Sequence, residues 1–132
     1  MREIKFRAWD TVAKQMAPLS NKFINLGSGY VFENVRDGLE GTDELVYSKR
    51  FILMQYTGLK DKSGKEIYGG DIMRIEAFEP QINVVRFDRG GFCIEPVLES
   101  PLHSSFWSDI KYAEDDRSEI IGNIYQNPEL IK

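Results

Sequence analysis

Apolar and polar residues alternate one by one over much of this chain, which is the period of a half-buried strand. In IKFRAW, Ile4, Phe6 and Ala8 fall on one side and Lys5, Arg7 and Trp9 on the other. DTVAKQM follows as a turn into a second short strand. RFILMQYTG is an apolar, aromatic-rich run closed by Gly58, which suits a buried strand. DIMRIEAF and INVVRF alternate again. FCIEPV reads as the return from INVVRF, with Pro96 ending it or lying at an edge, and EIIGNIYQ as the last strand. Residues 18–50 hold no sustained period. They read as mostly loop, with short strands near 23–26 and 30–35 and a short helix near 42–50 capped by Thr42 or Asp43. SPLHSSFWSDIKYAEDDRS reads as a connection with room for one helical turn. Asn127 and Pro128 have the residue types of a helix cap and first helical position.

The breaks between these runs carry as much information as the runs. TGLKDKSGKEIYGGDI, residues 57–72, contains Asp61-Lys62-Ser63-Gly64, with Asp first and Gly last as a type I turn prefers. A hairpin is expected there, and Gly69-Gly70 is expected to turn a corner into the next strand. Asp71, directly after that corner, is placed to accept hydrogen bonds from nearby backbone N–H groups, with Leu59, Ile67 and Ile72 buried beneath. Gly58, Asp61, Gly64, Gly70 and Asp71 therefore read as a motif of shape. Asp88-Arg89-Gly90-Gly91 repeats the turn logic. The expected fold is mostly β, either all-β or a β-rich α+β. It is expected to form a single compact domain over 1–132, with a twisted antiparallel sheet or partly closed barrel. Its main β subdomain spans 51–127, and the N-terminal strand adds to that sheet or to a smaller second one.

Composition supports a folded domain. The chain has 132 residues, 42% apolar and 12% aromatic, enough to build a core without metal or disulfide. Cys93 is the one cysteine, so no intrachain disulfide is possible, which fits a reducing cytoplasm. MREIKFRAWD holds no apolar run of signal-peptide length, and no stretch approaches the roughly 18 apolar residues that span a bilayer. A soluble cytoplasmic protein with no membrane partner is expected. The net charge of −4 argues against a general nucleic-acid binder. The ends differ, however. Residues 1–22 carry Arg2, Lys5, Arg7, Lys14 and Lys22 against Glu3 and Asp10, while residues 95–132 carry eight acids against three bases. Solvated faces that differ by chance account for this, as does docking of one end on the other or on an oppositely charged partner.

The common chemical motifs fail on inspection. A phosphate loop needs G-x-x-x-x-G-K-[ST] before a helix. Here Gly58 and Gly64 are one residue too far apart, Glu66 stands where Ser or Thr would hold magnesium, and a strand follows. A calcium loop beginning at Asp61 would place Ser63 and Lys65 at ligand positions, with two lysines repelling the ion. Cys93 and His103 are too few for a zinc site. His103 reads as a loop residue rather than a catalyst, and Cys93 as a small half-buried apolar residue rather than the nucleophile of a Cys–His pair. Asp71, Asp109, Asp115 and Asp116 are the carboxylates a magnesium-dependent hydrolase would use, though an acidic loop is more simply a solvated one. Trp9, Tyr30, Phe32, Tyr56, Tyr68, Phe106, Trp107 and Tyr125 could include a base-stacking platform, but alternating aromatics in a small β protein are more often core. Phe106 and Trp107 differ because they lie in a polar connection, and an exposed pair there would be a partner contact.

Three blocks together, MREIKFRAWD, MQYTGLKDKSGKEIYGGDI and IIGNIYQNPELI, resemble the YopX family, in family order and over the whole chain. One departure is Gly69, which stands before Gly70 where the family commonly has an acidic residue. The resemblance implies a mostly-β fold of its own type and a phage or prophage setting, and it implies no activity. The leading expectation is a non-catalytic phage accessory module that binds a protein partner and forms a homo-oligomer, with no catalytic residue, cofactor or metal. The alternatives are a nucleic-acid-binding module built on the basic N-terminal strand, and a metal-dependent hydrolase.

Overall fold

The computed structural model describes residues 3–18, 22–25, 30–36, 43–76, 80–88, 90–97, 108–109 and 117–132. Among these the chain is mostly β and antiparallel, as its alternation implies. Packing divides it into two compact units, one of Phe6–Met54 and one of Met1–Lys5 with Gln55–Lys132.

In the unit of 6–54, β1 (Phe6–Asp10) pairs with β2 (Gln15–Ala17) through the turn at 11–14. Lys14 takes a positive φ of 58° in that turn. β3 (Lys22–Asn25), β4 (Tyr30–Arg36) and β5 (Asp43–Ser48) form a three-stranded sheet in chain order. The core joins Ala8, Val31 and Phe51, with Ala17 and Leu53 packed against them. Phe51 opens the ten-residue β6 (Phe51–Lys60), whose first part belongs to this unit.

Two expectations are corrected here. The helix near 42–50 is the strand β5, paired with β4 at six successive positions from Val31↔Ser48 to Arg36↔Asp43. Asp43 is no helix cap. DELVYS is too short for a stable isolated helix, and its Val and Tyr suit a paired strand. The two-sided reading of IKFRAW also fails at its ends. Ile4 is 71% exposed, whereas Trp9, on the supposed outer side, is buried beside Ala8 and Asp10. Both faces of β1 are covered at 8–10, so alternation does not separate inside from outside there.

In the other unit, the second part of β6 pairs with β7 (Glu66–Tyr68). A five-stranded antiparallel sheet runs in the order β11–β10–β9–β8–β12, formed by β8 (Asp71–Ile75), β9 (Gln81–Asp88), β10 (Gly91–Pro96), β11 (Ser108–Asp109) and β12 (Ser118–Asn123). β10 ends at Pro96, which has no N–H to continue a ladder. Ile67, Met73, Val85 and Ile94 form the core, joined by the half-buried Leu59, Ile75, Phe92 and Ile120. The chain closes in a 3-10 turn, Pro128–Ile131. Asn127 precedes it but makes no side-chain cap bond. Its Oδ1 instead accepts the backbone N–H of Asn123 at 3.3 Å.

Candidate functional site

The stretch 57–72 is tied together by polar groups that turn back on the backbone. The Thr57 hydroxyl donates to the Ile67 carbonyl at 2.8 Å and accepts the Leu59 N–H at 3.2 Å. The register of β6 against β7 shifts between Tyr56 and Lys60, and Gly58 lies in this bulge with φ 87°. At the hairpin tip the Gly64 N–H reaches the Asp61 carbonyl at 2.9 Å, and Gly64 has φ 80°. At the corner Gly70 has φ 90°. Its N–H donates to the Val85 carbonyl at 2.8 Å, and its carbonyl accepts the Ile124 N–H at 2.9 Å. A residue in the left-handed region with both backbone groups bonded to other segments favours glycine. Asp71, 1% exposed, accepts the Tyr68 N–H on Oδ2 at 2.8 Å. Ile67 and Ile72 are fully buried and Leu59 half-buried.

Asp61 ties the hairpin tip to the backbone at three points. Oδ1 accepts the Ser63 and Lys65 N–H groups, both at 2.9 Å, and Oδ2 accepts the Ile120 N–H at 3.0 Å, 59 residues away. The neighbouring Lys62 N–H donates to the Ser118 carbonyl at 3.0 Å. Burial works against the Asp61 anion, but the three backbone donors and the Lys65 charge outweigh it and hold the carboxyl below its ordinary value. The Lys62 ammonium lies 3.5 Å from Glu76 and 3.7 Å from Glu119.

Two further polar clusters gave no signal in the sequence, because their partners are far apart in it. Lys5 donates to Glu66 Oε1 at 2.7 Å, lies 3.3 Å from Glu3 and sits 5.7 Å from the centre of the Tyr56 ring. The Tyr68 hydroxyl donates to Glu66 Oε2 at 2.9 Å, and the Tyr56 and Tyr68 rings are 5.5 Å apart. The bond to Glu66 raises the Lys5 pKa above its ordinary value, and the same bond with that from Tyr68 lowers that of Glu66. In the unit of 6–54, Asp10 is held by a two-pronged Arg50 guanidinium, Nε to Oδ1 and Nη2 to Oδ2, both at 2.7 Å. Its Oδ1 also accepts the Val12 and Ala13 N–H groups. The Arg50 bonds come first among the causes that depress the Asp10 pKa.

Cys93 lies on β10, half-buried, with its Sγ 3.6 Å from the Arg86 carbonyl. Burial, then the charges of Asp88 and Glu95, push its thiol up, away from nucleophilic use at neutral pH. Phe106, Trp107, His103, Asp115 and Asp116 lie outside the described residues, and Asp109 is described by its backbone alone. Among the described residues no group of three His, Cys, Asp or Glu could hold a metal ion. No described helix is long and apolar enough to cross a membrane. The aromatic that sequence reasoning missed is Phe87. It is 62% exposed on β9, opposite Phe92, and their rings meet edge to face at 5.1 Å. Strand alternation places Phe87 on the face of the buried Val85, so nothing in the pattern marks it as exposed.

The model of the YopX family, described as YopX protein, matches residues 5–132. The chain belongs to the YopX family. The crystal structure of protein EF1440 from Enterococcus faecalis is similar to this YopX-family chain, at 29% identity, with 100% of both chains covered and a TM-score of 0.63. No curated protein matches it at a significant level.

Proposed function

We propose that this YopX-family protein is a non-catalytic accessory module of a phage or prophage, acting in the host cytoplasm by binding a protein partner and associating with itself. The observation that carries the reading is Phe87. A large aromatic, 62% exposed and stacked edge to face on a second ring, is the kind of side chain that anchors protein contacts. Under this reading the stretch 57–72 serves shape. Thr57, Asp61 and Asp71 bond to backbone, and Gly58, Gly64 and Gly70 take positive φ. The phage setting rests on family membership. The nucleic-acid alternative stands lower, because Lys5 of the basic N-terminal strand is already paired with Glu66 and Glu3.

Parallel pull-downs from phage-infected host cells with the parent and with Phe87→Ser test this. The expected result is one protein retained by the parent and lost by the variant, re-forming the complex when both components are pure. Equal capture by the two, or submicromolar and steeply salt-dependent binding of the parent to DNA or RNA, overturns it.

A further inference from the structure

Among the described residues β12 is the outermost strand of the five-stranded sheet, paired on one side with β8. An edge strand of this kind presents a row of backbone donors and acceptors on which another strand can add. Here part of that row is occupied. The Ser118 carbonyl takes the Lys62 N–H, the Ile120 N–H goes to Asp61 Oδ2, and the Asn123 N–H goes to Asn127 Oδ1. The first two partners belong to the hairpin tip at 61–62, more than fifty residues earlier in the chain. The Lys62 ammonium, near Glu119 and Glu76, adds a charged side chain at the same place.

We propose that the Asp61–Lys62 tip is an edge guard, which keeps β12 from pairing with another strand. The strand it excludes is β12 of a second copy. Two identical edges can pair antiparallel about a two-fold axis, each supplying what the other needs. The half-buried Ile120 and Ile121 give such a pairing apolar content. Self-association of the parent, where it occurs, then uses a surface other than this edge, so the guard stands whether or not that association is found.

Two variants open the edge differently. Asp61→Ala removes the acceptor for Ile120. Lys62→Pro removes the donor to Ser118 and keeps a residue suited to the second position of a type I turn. The probe is a fluorescent peptide copying residues 117–124. Both variants are expected to bind it saturably and to form larger assemblies than the parent in light scattering at equal concentration. The parent is expected to bind it at least tenfold more weakly. Should Asp61→Ala fail to fold, Lys62→Pro carries the test. A cooperatively folded Lys62→Pro variant with the parent's size and no peptide binding overturns the proposal. So does a parent that binds the peptide as well as the variants do.

Discussion

Replacing Gly70 with Ala tests the corner of the 57–72 stretch against a control within the same stretch. Gly64 and Gly70 have φ of 80° and 90°, so an Ala at either meets similar backbone strain. That strain is about 1–2 kcal/mol for an L-residue in the left-handed region. It is offset by about 0.4–1 kcal/mol, because Ala also restricts the unfolded chain. A Cβ at Gly64 meets no heavy atom within 4 Å, so Gly64→Ala should cost the remainder, about 0.5–1 kcal/mol. Gly64 has one bond within its own turn, its N–H on the Asp61 carbonyl, whereas Gly70 ties two other segments, with its N–H on the Val85 carbonyl and its carbonyl on the Ile124 N–H. Relaxing φ there pulls both out of line, and each contributes about 0.5–1.5 kcal/mol. Gly70→Ala should therefore cost about 2–3 kcal/mol. Urea titrations of the two variants and the parent measure the difference, which should be about 1–2 kcal/mol. At this chain length it should also appear as a lower Tm, by about 3–5 °C for each kcal/mol. A Gly70→Ala variant no less stable than Gly64→Ala would refute the claim that the corner is held through Gly70.

Three further outcomes follow from the same bonds. The Asp61 carboxyl is depressed from 3.8 in the folded state. Its contribution is thus present above pH 4 or so and is lost as pH falls through the folded value. Urea titrations should show Asp61→Asn less stable than the parent at pH 7, with the gap narrowing as the pH falls below that of an ordinary carboxyl; a gap independent of pH contradicts the assignment. Gly122→Ala should cost about 1–2 kcal/mol, because its Cβ falls on the Asn127 side chain, within 2.8 Å of Cγ and closer still to Oδ1. Adding Asn127→Ser should recover part of that loss in thermal melts, and strict additivity of the two changes would count against the clash. The Lys62→Ala/Lys65→Ala double variant should lose less than about 1 kcal/mol, since the Lys62 ion pairs are exposed; a loss beyond 2 kcal/mol in urea titration would show that they matter more than surface pairs usually do.

The fold was legible where period and punctuation agreed. INVVRF and FCIEPV became β9 and β10 with the expected return, because two runs of strand-forming residues flank a short glycine-containing break, which is the local signal of a hairpin. Short strands expected near 23–26 and 30–35 are β3 and β4. Legibility failed where tertiary context decided. DELVYS has an acid at its start and no strong period, which reads equally as a capped helix. What makes it a strand is β4 lying beside it, and no local rule contains that neighbour. Trp9 sat on the polar side of an alternating strand, yet β1 is buried on both faces at that point.

The polar groups divide in the same way. Asp61 was read as the first residue of a turn and Asp71 as an acceptor after a glycine corner; Asp61 accepts the Ser63 and Lys65 N–H groups and Asp71 that of Tyr68, all within four residues. Asp, Gly and Asn satisfy bonds close in sequence, so their positions announce themselves. The bond from Ile120 to Asp61 spans 59 residues, and that from Lys5 to Glu66 spans 61. Neither partner has a composition that points to the other. Phe87 is the extreme case. It is 62% exposed, while its own sequence neighbours, Val85 and Arg86, describe an ordinary strand. Chemistry carried by short-range bonds can thus be read from the chain. A contact surface consists of side chains left over after folding, so it becomes visible once the strands are in place.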